Sequence, residues 1–236
     1  MSLDLSPVSS KRRSNTERRT ETRQQVMDAG IFILNKKGFA ALTNALIIAD
    51  TGISSGALMH HFPTRQKLLI ETVEYAYAQL AEFRRQQLEQ LPAGLARFRA
   101  LIDLSWHTSR MPAGFAVNEV RIGARSDDLL AATFRPVFTR IAHEYGRFVS
   151  RICRDAGLEP NEELRGLWTA TSMAMRSLAI DRNTYAGEDA AFSSLLALRT
   201  LRECLIRKQL GESAAQDPRI VWKPSFTMAR DAGQPV

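Results

Sequence analysis

TNALIIADTGISSGALMHHFP, residues 43–63, is the stretch whose reading decides the fold of this chain. It holds two short helical segments, each about eight residues long. Thr43 and Ser54 stand at their starts, where a side-chain oxygen can accept from the free N–H groups of a first turn. Gly52 separates them, because so short a turn between steeply crossing helices needs a residue that tolerates left-handed backbone. Pro63 closes the second, since the residue before a proline is pushed out of the α region. Leu58 and Phe62 give that second segment an apolar edge. Ser55, Gly56, Ala57, His60 and His61 are small or hydrogen-bonding, so the opposite face is slim enough to approach base edges. The N–H groups at Ser54–Gly56 are free to meet a phosphate.

Helical periodicity continues on both sides. Before the pair, Val26, Ala29, Gly30, Ile33 and Leu34 form one apolar face, and Lys36-Lys37-Gly38 is a helix stop. After it, Thr64 caps a long helix carrying Leu68, Leu69, Thr72, Val73, Ala76, Tyr77, Leu80 and Phe83, ended by Pro92–Gly94. Further helices are predicted at about 95–109, 114–125, 128–156, 162–181 and 188–209. Pro136 predicts a kink or break in the third of these, Asn161 caps the fourth, and Gly211 stops the last. No stretch alternates as a strand would. The expected fold is all-α with about nine helices. The expected organisation is a flexible basic arm at 1–19 and a three-helix helix-turn-helix DNA-binding domain at 20–66. A helix at 65–90 then leads into a helical regulatory and dimerisation domain at 67–211, followed by a polar tail at 212–236 anchored by Val221, Trp222 and Phe226.

Charge points the same way as the motif. The 236 residues carry a net +7, with 44% hydrophobic and 24% charged residues, an ordinary globular balance. The first 70 residues hold ten Lys/Arg against five Asp/Glu, and the remainder 22 against 20. A basic N-terminal third on a nearly neutral body fits a polyanion-binding end, or a merely solvated basic tail. Lys11, Arg12, Arg13, Arg18 and Arg19 form a run that would reach a minor groove or only release counterions. No apolar run approaches the roughly 18 residues of a membrane span, and no leader pattern opens the chain. Cys153 and Cys204 show neither metal nor disulfide spacing, a reduced cytoplasmic pattern. There is no G-x-S-x-G, no phosphate-loop glycine pattern and no zinc spacing between His107 and His143, so neither an enzyme nor a cofactor is expected.

Residues 22–70 resemble the DNA-binding domain of the tetracycline-repressor-like (TetR) family of bacterial transcriptional regulators. The resemblance runs through Val26, Ala29, Leu34, Gly38-Phe39, Thr43, Ile47, Gly52-Ile53-Ser54, Gly56, Leu58, His61-Phe62 and Leu68-Leu69. The chain departs from the family pattern at Asn44, Ile48, Thr51, Met59 and Arg65. The resemblance implies a homodimeric repressor on a double-stranded DNA operator, released by a small-molecule inducer. It places Thr43, Ser54, Ser55, Ala57, His60, His61 and Arg65 at the DNA. Thr43 also reads as a plain cap, His60 and His61 as solvated surface, and Arg65 as an exposed cation. A DNA-binding protein of the same fold, structural or controlled by a protein partner, is the alternative.

Bundle interiors are common ligand sites. The residues expected to line one are Trp106, His107, Met111, Phe115, Asn118, Glu119, Arg121, Trp168, Met175 and Arg176, against the plainer reading that Trp and Met at helical spacing are core. The apolar faces of 162–181 (Leu164, Leu167, Trp168, Thr171, Met175, Leu178) and 188–209 (Phe192, Leu195, Leu196, Leu198, Leu205) are expected to form a four-helix dimer interface, unless one subunit uses them up internally.

Overall fold

The computed structural model describes residues 15–181 and 187–224. Every regular element among them is helical: α1 (Asn15–Lys37), α2 (Asn44–Thr51), α3 (Ser55–His61), α4 (Arg65–Glu89), α5 (Leu95–Ser109), α6 (Pro112–Ala124), α7 (Asp128–Asp155), α8 (Glu162–Asp181) and α9 (Gly187–Leu210). Two single 3-10 turns, Phe39–Ala41 and Glu212–Ala214, complete the set.

The ends of these helices follow from local chemistry. Thr43 Oγ1 accepts from Leu46 N at 3.3 Å, Ser54 Oγ from Ala57 N at 3.2 Å, and Thr64 Oγ1 from Lys67 N at 3.1 Å. Asp127 and Asn161 cap α7 and α8 in the same way. Each such cap contributes about 1 kcal/mol. Gly52 takes φ 71 and ψ 5, and its N–H closes α2 on Ile48 O at 2.9 Å. That left-handed conformation is nearly cost-free only for glycine.

Two expectations change. The arm at 1–19 is helical from Asn15 on, so Arg18 and Arg19 ride on α1; Lys11, Arg12 and Arg13 lie outside the described residues. The i, i+4 hydrogen bonds that Thr20 and Thr22 give to the carbonyls of Thr16 and Arg18 accompany this extra turn. Helix α7 runs through Pro136 without a break. The C-terminal tail is tied down as far as it is described: Trp222 packs against the core and donates its N–H to Asp103 Oδ2 at 3.1 Å. Phe226, the other aromatic anchor expected there, lies outside the described residues.

Helices α1 to α3 close over Val26, Leu34, Leu42, Ile47, Leu58 and Phe62, all essentially without solvent contact, and share that core with Leu68 and Leu69 of α4. Helix α6 packs against both α1 and α4 and also touches the 3-10 turn at Phe39–Ala41. Helices α5, α8 and α9 pack on one another on the far side. On α8, Leu164, Leu167, Trp168, Thr171 and Met175 are buried within the chain, as are Leu195 and Leu205 on α9. Most of the predicted dimer face is therefore spent inside one subunit. The large apolar side chains left outside are Met173 and Ile180 on α8 and Phe192, Leu201 and Leu210 on α9, with Met173 and Phe192 each 59% exposed.

Candidate nucleic-acid interface and cavity

Helix α3 is pinned by its apolar edge and open elsewhere. Leu58 and Phe62 are buried, whereas Ser54, Ser55, Gly56, Met59 and His60 are exposed and Ala57 is half-buried. A Cβ built on Gly56 would meet nothing within 4 Å, so this surface is shallow. Thr43 is also exposed, and while its hydroxyl caps α2 its proton stays available to an acceptor. Two departures from the family pattern meet here: Asn44 Nδ2 lies 3.5 Å from Met59 Sδ. Thr51, a third departure, satisfies its hydroxyl on Ile47 O at 2.7 Å.

The structure gives two of the predicted DNA-facing residues contacts within the chain. His61 is only 8% exposed, and its Nδ1 is buried without a hydrogen-bond partner. The helical period explains this: His61 lies three residues past Leu58 and so follows the apolar edge inward, whereas His60 does not. Arg65 is exposed, but its guanidinium is already engaged. Nε donates to Leu42 O and Nη2 to Phe39 O, both at 3.0 Å, and the group lies 4.6 Å from the Phe39 ring centroid. It ties the start of α4 to the 3-10 turn that leads into α2.

Burial, with the neighbouring charges of His60, Arg19 and Arg23, pushes the His61 pKa below the ordinary 6.5. A histidine lowered by folding leaves the unfolded chain binding more protons, so stability falls as pH drops through the unfolded value toward the folded one. Thermal stability is expected to decline as pH falls from about 7.5 through the ordinary histidine value. In His61→Leu the decline is expected to be shallower, as read by Tm at several pH values. Identical slopes in the two proteins would contradict it.

Behind this face lies a cavity of about 1230 Å³ bounded by α4 to α8. Asn118, Arg121, Trp168, Met175 and Arg176 line it, as the sequence suggested. Trp106, Met111, Phe115 and Glu119 do not. Trp106 lies beside Arg110, 5.0 Å from guanidinium to ring centroid, and Met111 is buried. His107 stacks on Phe83. Glu119 points toward the helix-turn-helix instead: Phe39 N donates to its Oε2 at 3.0 Å. Sequence reasoning missed Tyr77, Arg84, Ser105 and Tyr145, which also line the cavity. Tyr77 shares its helix face with the core positions of α4, so periodicity alone could not set it apart. Cys153 borders the cavity too, but burial pushes its thiol up to about 11, which keeps it protonated and unreactive.

Comparison with known proteins agrees with this geometry. Residues 26–72 match the family described as bacterial regulatory proteins, tetR family. Over this segment the chain is similar to the tetR family. The HTH-type transcriptional regulator CymR of Pseudomonas putida is 39% identical over 84 residues, which is 36% of this chain and 41% of CymR. The matched part thus spans less than half of that curated relative. Two solved structures share the wider fold. One, from Rhodococcus sp. and assigned to the TetR-family transcriptional regulators, has a TM-score of 0.58 at 17% identity and covers 77% of this chain and 98% of its own. The other, the multidrug binding protein EbrR complexed with imidazole, has a TM-score of 0.53 at 19% identity and covers 76% and 93%.

Proposed function

We propose that this protein is a transcriptional regulator that binds a near-palindromic double-stranded operator as a homodimer, represses from it, and is released by a small molecule held in the cavity. The observation that carries this reading is α3, whose apolar edge is buried while Ser54, Ser55, Ala57 and His60 are left at or near the surface. Cationic Arg19 on α1 lies close enough to influence His61 at the end of that helix. Phosphates would be held by Thr43, Ser54 and the α3 N-terminus, and bases read by Ala57 and His60. Met173, Ile180, Phe192 and Leu201 supply apolar surface for a two-fold partner.

Helix α6 supports a route from ligand to DNA. Asn118 and Arg121 face the cavity, while Glu119 between them holds the backbone of Phe39. A shift of α6 on ligand binding would move the 3-10 turn, and through Arg65 the starts of α2 and α4. Release then means that the ligand binds better to the dimer whose recognition helices no longer match successive grooves.

Selection on randomised duplexes tests the reading. Wild type should enrich a near-palindrome, and sedimentation at micromolar concentration should give twice 26.4 kDa. His60→Ala should change the enriched motif and weaken the wild-type site by about 1–3 kcal/mol. An unchanged motif in His60→Ala would remove it from the reading face, and a monomer mass would remove the dimer.

A further inference from the structure

We infer that the cavity takes an organic acid: one carboxylate on an apolar aromatic or aliphatic body. This inference rests on the reading of the cavity as a ligand site. The first observation is charge. The walls carry eight arginines against two glutamates, Glu74 and Glu144, and both glutamates pair with Arg140. The second is that Arg84, Arg121 and Arg176 reach the cavity from three different helices, with no carboxylate partner among the described residues.

Their surroundings hold the guanidinium groups without neutralising them. Arg121 Nη2 donates to the Tyr77 hydroxyl at 3.0 Å, and its guanidinium carbon lies 3.7 Å from the Phe138 ring centroid. Its Nε is buried with no partner. Arg84 lies over the Tyr145 ring at 5.2 Å. Arg176 makes no hydrogen bond with any described residue, and burial together with nearby Arg121 depresses its pKa.

Half-buried guanidinium groups gathered without a counter-charge destabilise the fold. Elsewhere this chain pairs its buried arginines with carboxylates: Arg199 with Asp103, and Arg202 with Glu203. Arg84, Arg121 and Arg176 are left without such a partner at the cavity, where a ligand can bring the missing charge. A planar carboxylate matches the guanidinium fork and would reach the free Arg121 Nε. Val117, Leu164, Trp168 and Met175 offer the hydrocarbon body an apolar wall. A cationic ligand would meet repulsion from every side.

The test uses the full-length protein and matched probes: benzoate and octanoate, their neutral amides, benzamidine and octylamine as cations, and inorganic phosphate. Binding is read by Tm and by the change in intrinsic fluorescence, to which Trp168 in the cavity wall contributes beside Trp106 and Trp222. The carboxylates are expected to bind roughly tenfold or more tightly than their amides, and phosphate alone not to bind. Arg121→Gln and Arg176→Gln are each expected to weaken the carboxylates roughly tenfold. Arg176→Gln is also expected to raise the ligand-free Tm by about 2 °C, because a repelled, unpartnered charge is gone. If Arg121→Gln fails to fold, Arg176→Gln carries the test alone.

Amides or amines that bind as tightly as the acids would overturn the inference, as would full carboxylate affinity in the double variant. Failure of every probe to shift Tm at millimolar concentration would count against it too. If amides bind and release operator DNA, the acid is wrong and the regulator reading stands. If the ligand-free protein selects no DNA motif, the regulator reading fails whatever the probes show.

Discussion

Asp103→Ala is expected to destabilise the protein by about 3–5 kcal/mol, the cost of leaving a buried guanidinium unpaired. The side chains of Asp103 and Arg199 are 5% and 3% exposed. Arg199 Nε donates to Asp103 Oδ1 at 2.9 Å, and the second oxygen holds Trp222 N. The alanine variant strands Arg199 in the interior and unties the tail. Beside this pair, Glu203 accepts from Arg99, from Arg202 and from Gln216 N at 3.0 Å, so the two carboxylates together fasten α5, α9 and the tail. Urea unfolding should show a lower midpoint at unchanged slope. Asp103→Asn keeps an acceptor and should lose less. A loss under about 1 kcal/mol in the alanine variant would mean that Arg199 finds another acceptor or water.

The two carboxylates respond oppositely to pH. Burial raises the Asp103 pKa beyond what Arg199 can offset. For Glu203 burial also works upward, but Arg99, Arg202 and the Gln216 N–H outweigh it and hold the group below its usual range. The Glu203 contribution is therefore present above the unfolded value and lost as pH falls through the folded one, whereas that of Asp103 fades as pH rises.

Gly123→Ala is expected to cost about 1–3 kcal/mol of stability and to weaken operator binding as well. A Cβ at Gly123 would sit 2.4 Å from Cγ and Cδ1 of Phe39, so the ring must move. That ring underlies the Arg65 guanidinium, whose hydrogen bonds hold the turn before α2. Displacing it disturbs the junction through which α6 meets the helix-turn-helix. Adding Phe39→Leu should recover part of the lost Tm by making room. Calorimetry of the single and double variants, with a titration of the selected duplex, checks both effects. Wild-type stability and affinity in Gly123→Ala would show that the ring yields freely and that α6 does not hold the turn.

Local rules were enough for much of this protein. The caps at Thr43, Ser54, Thr64 and Asn161, the left-handed Gly52 and the periodic apolar faces involve groups within a few residues of one another. Their energetics are therefore written in the sequence. The slim outer face of α3 was legible for the same reason, and the order of motifs from Val26 to Leu69 carried the resemblance to the tetR family. What sequence could not decide is which side of an amphipathic helix meets which neighbour. His61 and His60 are adjacent, yet one is buried and the other exposed. Glu119 and Arg121 lie two apart on α6, yet one reaches the Phe39 backbone and the other the cavity. Arg199 found its carboxylate, Asp103, far away in the chain, while Arg84, Arg121 and Arg176 found none among the described residues. Pairing of this kind is fixed by how separate helices pack, so only the tertiary structure decides it.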